Sequence, residues 1–430
     1  MLLIQEDARG DKPGLKYNRL RDAPVSAAWS EPEAREDKIH QIHLYPARFP
    51  AFIVERALEY AAARGVEVTR VGDVFCGSGT VTQVAGARNL EFWGCDINPV
   101  ATLIARVKSA RGEPERFNEL AADISANFDR ASSVPDLSPD AVSRLAPWYR
   151  PDQFGDLAKL RNAIGAKVPA SDPSRAAFDC AFSAIVKPAS QWRKRSVKPA
   201  MDARKAPTAV LQAFVRQCDF MSDAWAAMPN RPAPSAEILD GDVNTIERPN
   251  FPIDLIITSP PYATSYEYAD VHQLSALWLG YADDHRRLRA GVIGTSTRRT
   301  DLGRALRHLN SIGMQVVFSL FEKDRALAEA MATYFLDMQK AVGRCHEFLR
   351  PGGICVFVVG NTQLNGVRID NANHMVESLL AAGFTDIRVV KRSVTNKPNT
   401  PYRHPNGRLS SQPTGMHIYA EEFVLMAERR

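Results

Sequence analysis

The chain has 430 residues, 45% of them apolar and 24% charged, which is enough for one large domain or two small ones with a buried core. Lys and Arg number 54 against 49 Asp and Glu, a net charge of +5 that permits a nucleic-acid partner without requiring one. The six scattered cysteines have neither disulfide-framework nor zinc-site spacing, no apolar run nears the roughly 20 residues of a membrane span, and the N-terminus does not read as a secretion signal, so a cytoplasmic, membrane-free protein with free thiols and no metal is expected.

In chain order, residues 1–38 are polar and aperiodic and read as a flexible N-terminal arm. Phe52, Ile53, Ala57, Leu58 and Tyr60 then fall at helical spacing, and the run stops at Gly65. A strand is expected over 68–75, a small-residue turn over 76–80, a helix over 81–87 and a second strand over 90–95. This is the opening of a doubly wound α/β domain.

The alternation breaks between 108 and 234, where helical segments are separated by Pro-containing loops near 132–140 and 169–175. Strands resume at 236–239 and 253–258; a long helical region runs to Leu349-Arg350-Pro351-Gly352-Gly353. Strands at 354–359, 385–390 and 421–426, with a helix at 374–382, complete a sheet of about seven strands. The domains expected are the arm (1–38), a first half of the α/β domain (39–107), a mainly helical insertion (108–234) and a second half (235–430).

Three stretches carry chemistry. In Asp73-Val74-Phe75-Cys76-Gly77-Ser78-Gly79-Thr80 an acid ends a strand and two glycines let the backbone approach a ligand closely, although a tight turn can also be purely structural. Asp96 ends the next strand about 20 residues on, where a carboxylate can accept two hydrogen bonds from ribose hydroxyls. No third glycine follows Gly79, which counts against a nicotinamide cofactor. In Thr258-Ser259-Pro260-Pro261-Tyr262 two prolines hold the backbone extended at the carboxyl end of a strand, where open α/β sheets keep their ligands. Ser259 offers a hydroxyl acceptor, Pro260 a fixed carbonyl and Tyr262 an aromatic plane, a set that suits a planar ring with an exocyclic amine.

Asp73 to Thr80, Gly94-Cys95-Asp96-Ile97-Asn98-Pro99 and Thr258 to Tyr262 together resemble the motifs of S-adenosylmethionine-dependent amino methyltransferases that act on DNA bases. His43-Leu44-Tyr45-Pro46-Ala47-Arg48-Phe49-Pro50 is similar to the family element lining the methionine end of the cofactor pocket, and Leu349 to Gly353 to the loop before its fifth strand. The resemblance covers about residues 40–105 and 235–428 and implies a Rossmann-like class I methyltransferase fold. It also implies that His43, Tyr45, Pro46, Arg48, Phe75, Thr80 and Ile97 surround S-adenosyl-L-methionine. Gly77 and Gly79 would cradle its methionine part, with Asp73 near the amino group, Asp96 on the ribose and Asp242 on the adenine amine. Ser259, Pro260, Pro261 and Tyr262 would hold the target base for direct methyl transfer, with no covalent intermediate and no metal. In this family a serine before Pro-Pro favours cytosine-N4 over adenine-N6. Carbon-5 methylation is disfavoured, because no Pro-Cys nucleophile motif is present.

A base inside a duplex must be flipped to reach such a pocket, so double-stranded DNA is the expected partner, gripped by cations. Lys187, Arg193, Lys194, Arg195, Lys198, Arg204 and Lys205, with Trp192 among them, form a basic run in the insertion, the candidate target-recognition region. A second run includes Arg286, Arg287, Arg289, Arg298, Arg299, Arg304 and Arg307, around a loop marked flexible by Gly291 and Gly294; a third, 391–408, includes Lys397, Arg403 and Arg408. Other readings are an RNA amino methyltransferase, a nucleotide-binding oxidoreductase and a non-catalytic DNA-binding module. A cognate restriction endonuclease is a further partner of the first reading.

Overall fold

The computed structural model describes residues 2–4, 19–30, 36–45, 48, 50–110, 112–194, 196, 198–228, 234–262, 268–295, 298–393, 402–403, 409–410 and 422–430. The strands are β1 (Leu2–Ile4), β2 (Arg70–Asp73), β3 (Glu91–Asp96), β4 (Ala236–Asp240), β5 (Ile253–Thr258), β6 (Leu349–Gly360), β7 (Thr362–Leu364), β8 (Val367–Ile369), β9 (Phe384–Arg392), β10 (Tyr402–Arg403), β11 (Leu409–Ser410) and β12 (Glu422–Arg429). The first helices are α1 (Ala51–Ala63), α2 (Thr80–Ala87) and α3 (Pro99–Ser109). Between β3 and β4 come α4 (Pro114–Asn127), α5 (Pro139–Leu145), α6 (Pro151–Lys167), α7 (Arg175–Val186) and α8 (Val210–Ala226). After β5 follow α9 (Tyr268–Val271), α10 (Gln273–Trp278), α11 (Leu302–Ala305), α12 (Ser311–Phe321), α13 (Arg325–Phe348) and α14 (Asn371–Ala381).

The main sheet runs β1-β9-β12-β6-β5-β2-β3-β4. β6, β5, β2, β3 and β4 are parallel neighbours, and β12 is antiparallel to both β6 and β9. From β9 to β4 these strands make the Rossmann-like α/β sheet expected of the class I methyltransferase fold. β5 is buried along its whole length, as a central parallel strand must be, and its alternation sends Leu255 and Ile257 to one face and Ile256 to the other. α1 and α2 cover the first face; α12, α13 and α14 cover the second, around Phe335, Met338 and Phe348. The order of strands reverses between β2 and β5, one run going out through β3 to β4 and the next through β6, so the carboxyl ends of these parallel strands flank the crevice where ligands bind in such sheets.

One expectation is corrected. The N-terminal arm is not loose in its described parts: β1 pairs antiparallel with β9, Val25 bridges Lys391, and Leu20 and Trp29 are buried. Burying these side chains offsets the entropy of fixing a polar segment. The stretch between β3 and β4 is helical and shares its core with neighbouring elements. Its apolar core, built on Phe178, Phe182, Phe214 and Trp192, takes in Leu274, Leu277 and Trp278 of α10, which follows the Pro-Pro turn, and Ile104 of α3. All six cysteines are buried and free, and no helix among the described residues is long and apolar enough to cross a membrane.

Candidate active site

A cleft lies at the carboxyl ends of β2, β3 and β5. It brings together Tyr45, Arg48, Asp73, Phe75, Gly77, Thr80, Asp96, Ile97, Asp242, Ser259 and Pro261 from the expected site. Residues spread over more than half of the chain therefore face one volume.

The turn after β2 is built by its own sequence. Gly79 takes φ +79° at the N-cap of α2, and a Cβ there would come within 2.7 Å of Ala105 Cα, so the turn closes against α3 only with glycine. Asp96 organises the same turn from the next strand. One carboxylate oxygen accepts the Gly77 N–H and the other the Asn98 N–H, both at 2.9 Å. Asn98 in turn caps α3 by accepting the Val100 N–H at 3.1 Å, with Pro99 in the first turn. Burial pushes the Asp96 carboxyl up to about 6 and the Asp73 carboxyl up to about 7, opposed by their hydrogen bonds. Asp73 Oδ1 accepts the Thr258 hydroxyl at 2.6 Å and the Phe75 N–H at 3.0 Å. Asp242, which also lines the cleft, accepts the Asn244 N–H at 2.9 Å.

Ser259 donates its hydroxyl to the Val358 carbonyl of β6 at 3.0 Å. Its proton is thereby committed, and its oxygen lone pairs remain to accept. Pro261 also faces the cleft, and its carbonyl accepts the Tyr334 hydroxyl at 3.2 Å. Pro260 is buried behind that wall. Tyr262 stands outside the main cleft, its ring over Gly360 and its hydroxyl on Glu422 Oε1 at 3.3 Å. Glu422 is itself held by a buried ion pair with Arg392 at 2.6 Å.

Other expected residues are placed differently. His43 does not reach the cleft: its Nδ1–H donates to the Leu44 carbonyl, and Nε2 lies 2.8 Å from Ser183 Oγ on α7. Burial lowers its imidazole to about 4, so it is a neutral clamp between the N-terminal segment and the helical insertion. Gly79 packs against α3 behind the cleft wall. Pro46 lies outside the described residues, as do Arg195, Lys397 and Arg408; of Arg403 only the backbone strand is described.

In the basic runs, Arg193, Lys194, Lys198 and Arg204 are exposed. Trp192 is not an aromatic available to a base. It is fully buried, stacks on Trp148 at 5.1 Å and donates its indole N–H to the Ser196 carbonyl at 3.0 Å. The loop marked by Gly291 and Gly294 is a wall of the cleft through Gly291, Val292 and Ile293. Three of its arginines are engaged locally: Arg286 with Asp284, Arg289 with Asp270 and Arg298 with Asp337, each at 2.7 Å. Arg299 is exposed.

Sequence reasoning missed Ser78, Asn98, Lys108 and His272. Tyr45 stacks on His272 with ring centroids 5.0 Å apart, and His272 Nδ1 is 3.0 Å from Asn98 Nδ2. Nothing local marks His272. Lys108 carried a signal, since it continues the face of Ala101, Ile104 and Ala105, where a charge is out of place.

No family model matches the chain. A curated relative, the type II methyltransferase M.MvaI of Kocuria varians, is 22% identical over 422 residues, covering 90% of each chain. Among solved structures, an S-adenosylmethionine-dependent methyltransferase of Methanosarcina mazei aligns over 90% of this chain and 98% of its own at 9% identity and a TM-score of 0.31. TrmN of Thermus thermophilus aligns over 91% of this chain and 52% of its own at 11% identity and a TM-score of 0.30. At such scores these likenesses carry no argument about substrate.

Proposed function

We propose that the chain is an S-adenosylmethionine-dependent methyltransferase that modifies the exocyclic amine of a flipped DNA base, cytosine-N4 ahead of adenine-N6. The observation that carries this reading is the convergence of Asp73, Asp96 and Ser259 on one cleft, with the Ser259 lone pairs left for an amine. The relationship to a type II methyltransferase along 90% of both chains supports it. A cognate restriction endonuclease is the partner that belongs with this reading.

The residues present fit the cofactor. The glycine turn lets backbone approach it closely, Asp73 receives an ammonium, and Asp96 retains acceptor capacity on both oxygens for ribose hydroxyls. Asp242, also lining the cleft, receives the adenine amine. When bound, the cofactor supplies an electrophilic methyl group on a sulfonium. Ser259 and the Pro-Pro turn would hold the target amine so that its lone pair, not a proton, faces that methyl, with the Ser259 oxygen accepting a hydrogen bond from an amine N–H. Rigid positioning of this kind supplies much of such a reaction's acceleration. Tyr262, fixed by Gly360 and Glu422, presents its ring at the rim to stack the base. Exposed Arg193, Lys194, Lys198, Arg204 and Arg299 grip the DNA backbone.

The test is to incubate the protein with S-adenosylmethionine and unmethylated genomic DNA, digest to nucleosides and identify the product by mass spectrometry. N4-methylcytosine is expected. N6-methyladenine would overturn the base assignment alone, and methylation of RNA with none on DNA would overturn the substrate.

A further inference from the structure

Residues 42–45 run along the seam between the helical insertion and the cleft. Ile42 is buried in the insertion's core, and its carbonyl accepts the Gln217 side-chain amide of α8 at 2.7 Å. His43 is buried beside it and held to Ser183 of α7, whose Oγ lies 2.8 Å from Ser275 Oγ of α10. The other ring nitrogen of His43 donates to the Leu44 carbonyl at 3.0 Å. Tyr45 stacks on His272 and lines the cleft. Between these fixed neighbours the Leu44 side chain is 78% exposed, more than any other large apolar side chain among the described residues. A single leucine at a surface is ordinary. This one is held out in solvent by a backbone pinned on both sides, and one residue, about 3.8 Å of chain, separates it from the cleft wall at Tyr45.

We infer that Leu44 is the wedge that enters the duplex as the target base leaves it. This rests on the flipped-base reading above and adds the residue that fills the gap. A flipped base leaves an empty level in the stack and a partner base without its pair, and proteins that open a duplex insert apolar side chains at such steps. Leucine has neither donor nor acceptor, so it fills the vacated volume without competing for base edges. Its place in the fold meets the demand. The base must enter the cleft that Tyr45 and Ser259 share, so the step it vacates faces the rim of that cleft, where Leu44 stands. Gln217 of α8, Ser183 of α7 and Ser275 of α10 brace the segment from behind, so a packed core takes up the load when the duplex is opened. Removing the exposed leucine from water on insertion favours the open duplex.

The experiment takes the sequence that the wild-type chain methylates in genomic DNA and places it in two synthetic duplexes. One is fully paired, and the other carries a mismatch opposite the target base, which lowers the cost of flipping it. Single-turnover methyl transfer is measured for the wild type, Leu44→Ala and Leu44→Phe. Leu44→Ala is expected to lose about tenfold or more on the paired duplex, the scale of one leucine side chain no longer buried, and to recover to within about threefold of the wild type on the mismatched one. Leu44→Phe, still an apolar wedge, should keep most of the rate on both. An equal loss on both duplexes, or none on either, would overturn the inference. Melting temperature and calorimetric binding of S-adenosylhomocysteine should match the wild type, since the side chain is exposed and does not line the cleft. A lost affinity would assign Leu44 to the cofactor side and overturn the wedge. If the wild-type chain methylated no DNA, the flipped-base reading itself would fall, and the role of Leu44 with it.

Discussion

Thr258 donates its hydroxyl to the Asp73 carboxylate at 2.6 Å, across 185 residues of sequence. This bond ties the acid that ends β2 to the residue that precedes Ser259. The end of β2 and the Pro-Pro turn after β5 are therefore held in one hydrogen-bonded frame.

That frame makes Asp73 a source of pH-dependent stability. Its carboxyl is raised from 3.8 to about 7, so the folded chain holds the proton more tightly than the unfolded one. The stability contribution is full below the unfolded value and is lost as pH rises through about 7. Asp73→Asn keeps the oxygen that accepts from Thr258 and Phe75 and removes the buried charge. Thermal melts should show the variant gaining on wild type at pH 8, with the gap closing toward pH 5. Calorimetry should show it losing cofactor affinity at both.

Ser259→Ala should separate chemistry from cofactor binding. The oxygen that would orient the target amine disappears, while Asp73, Asp96 and the glycine turn are untouched. Single-turnover methyl transfer is expected to fall about 100-fold, the scale of one lost oriented contact at the reacting centre. Cofactor affinity should stay within about twofold, and its loss with turnover intact would contradict the role given to Ser259.

The Tyr262 support can be read from stability. Glu422 and Arg392 are both buried, and Glu422→Gln would leave the guanidinium without a countercharge. Breaking a buried pair in this way costs about 3–5 kcal/mol, which should appear as a lower denaturant midpoint. Tyr262→Phe removes one hydrogen bond at 3.3 Å and should cost about 1 kcal/mol or less. Both variants should raise KM for DNA if Tyr262 stacks the base.

The insertion's cations carry a salt signature. Replacing Arg193, Lys194 and Lys198 with Ala should weaken DNA binding and reduce the slope of log K against log salt by about 2–3, since each phosphate contact contributes roughly 0.9. An unchanged slope would remove this surface from the DNA interface.

The alternating strands and helices were readable because they depend on short-range patterns. A wholly apolar β5, two glycines where the backbone turns sharply and two prolines that stop a strand each report their local structure without any partner. The acids Asp73 and Asp96 were readable for the same reason, since a strand end fixes which way a side chain must face. What the sequence alone determined is thus the order of elements and the residues at the strand ends.

Tertiary structure decided the rest, because those outcomes depend on which surface a residue meets. His43 became a clamp only by meeting Ser183, 140 residues away. Trp192, flanked by basic residues, went into a core completed by α10 from beyond the Pro-Pro turn. Arg298 is read as free in a basic run until Asp337 of α13 is brought beside it. The N-terminal segment is polar by composition, yet β9 offers it an open edge whose backbone groups any strand can satisfy. Lys108 follows the same logic: no spacing along the chain states that its side chain will be buried against Ser78, 30 residues away.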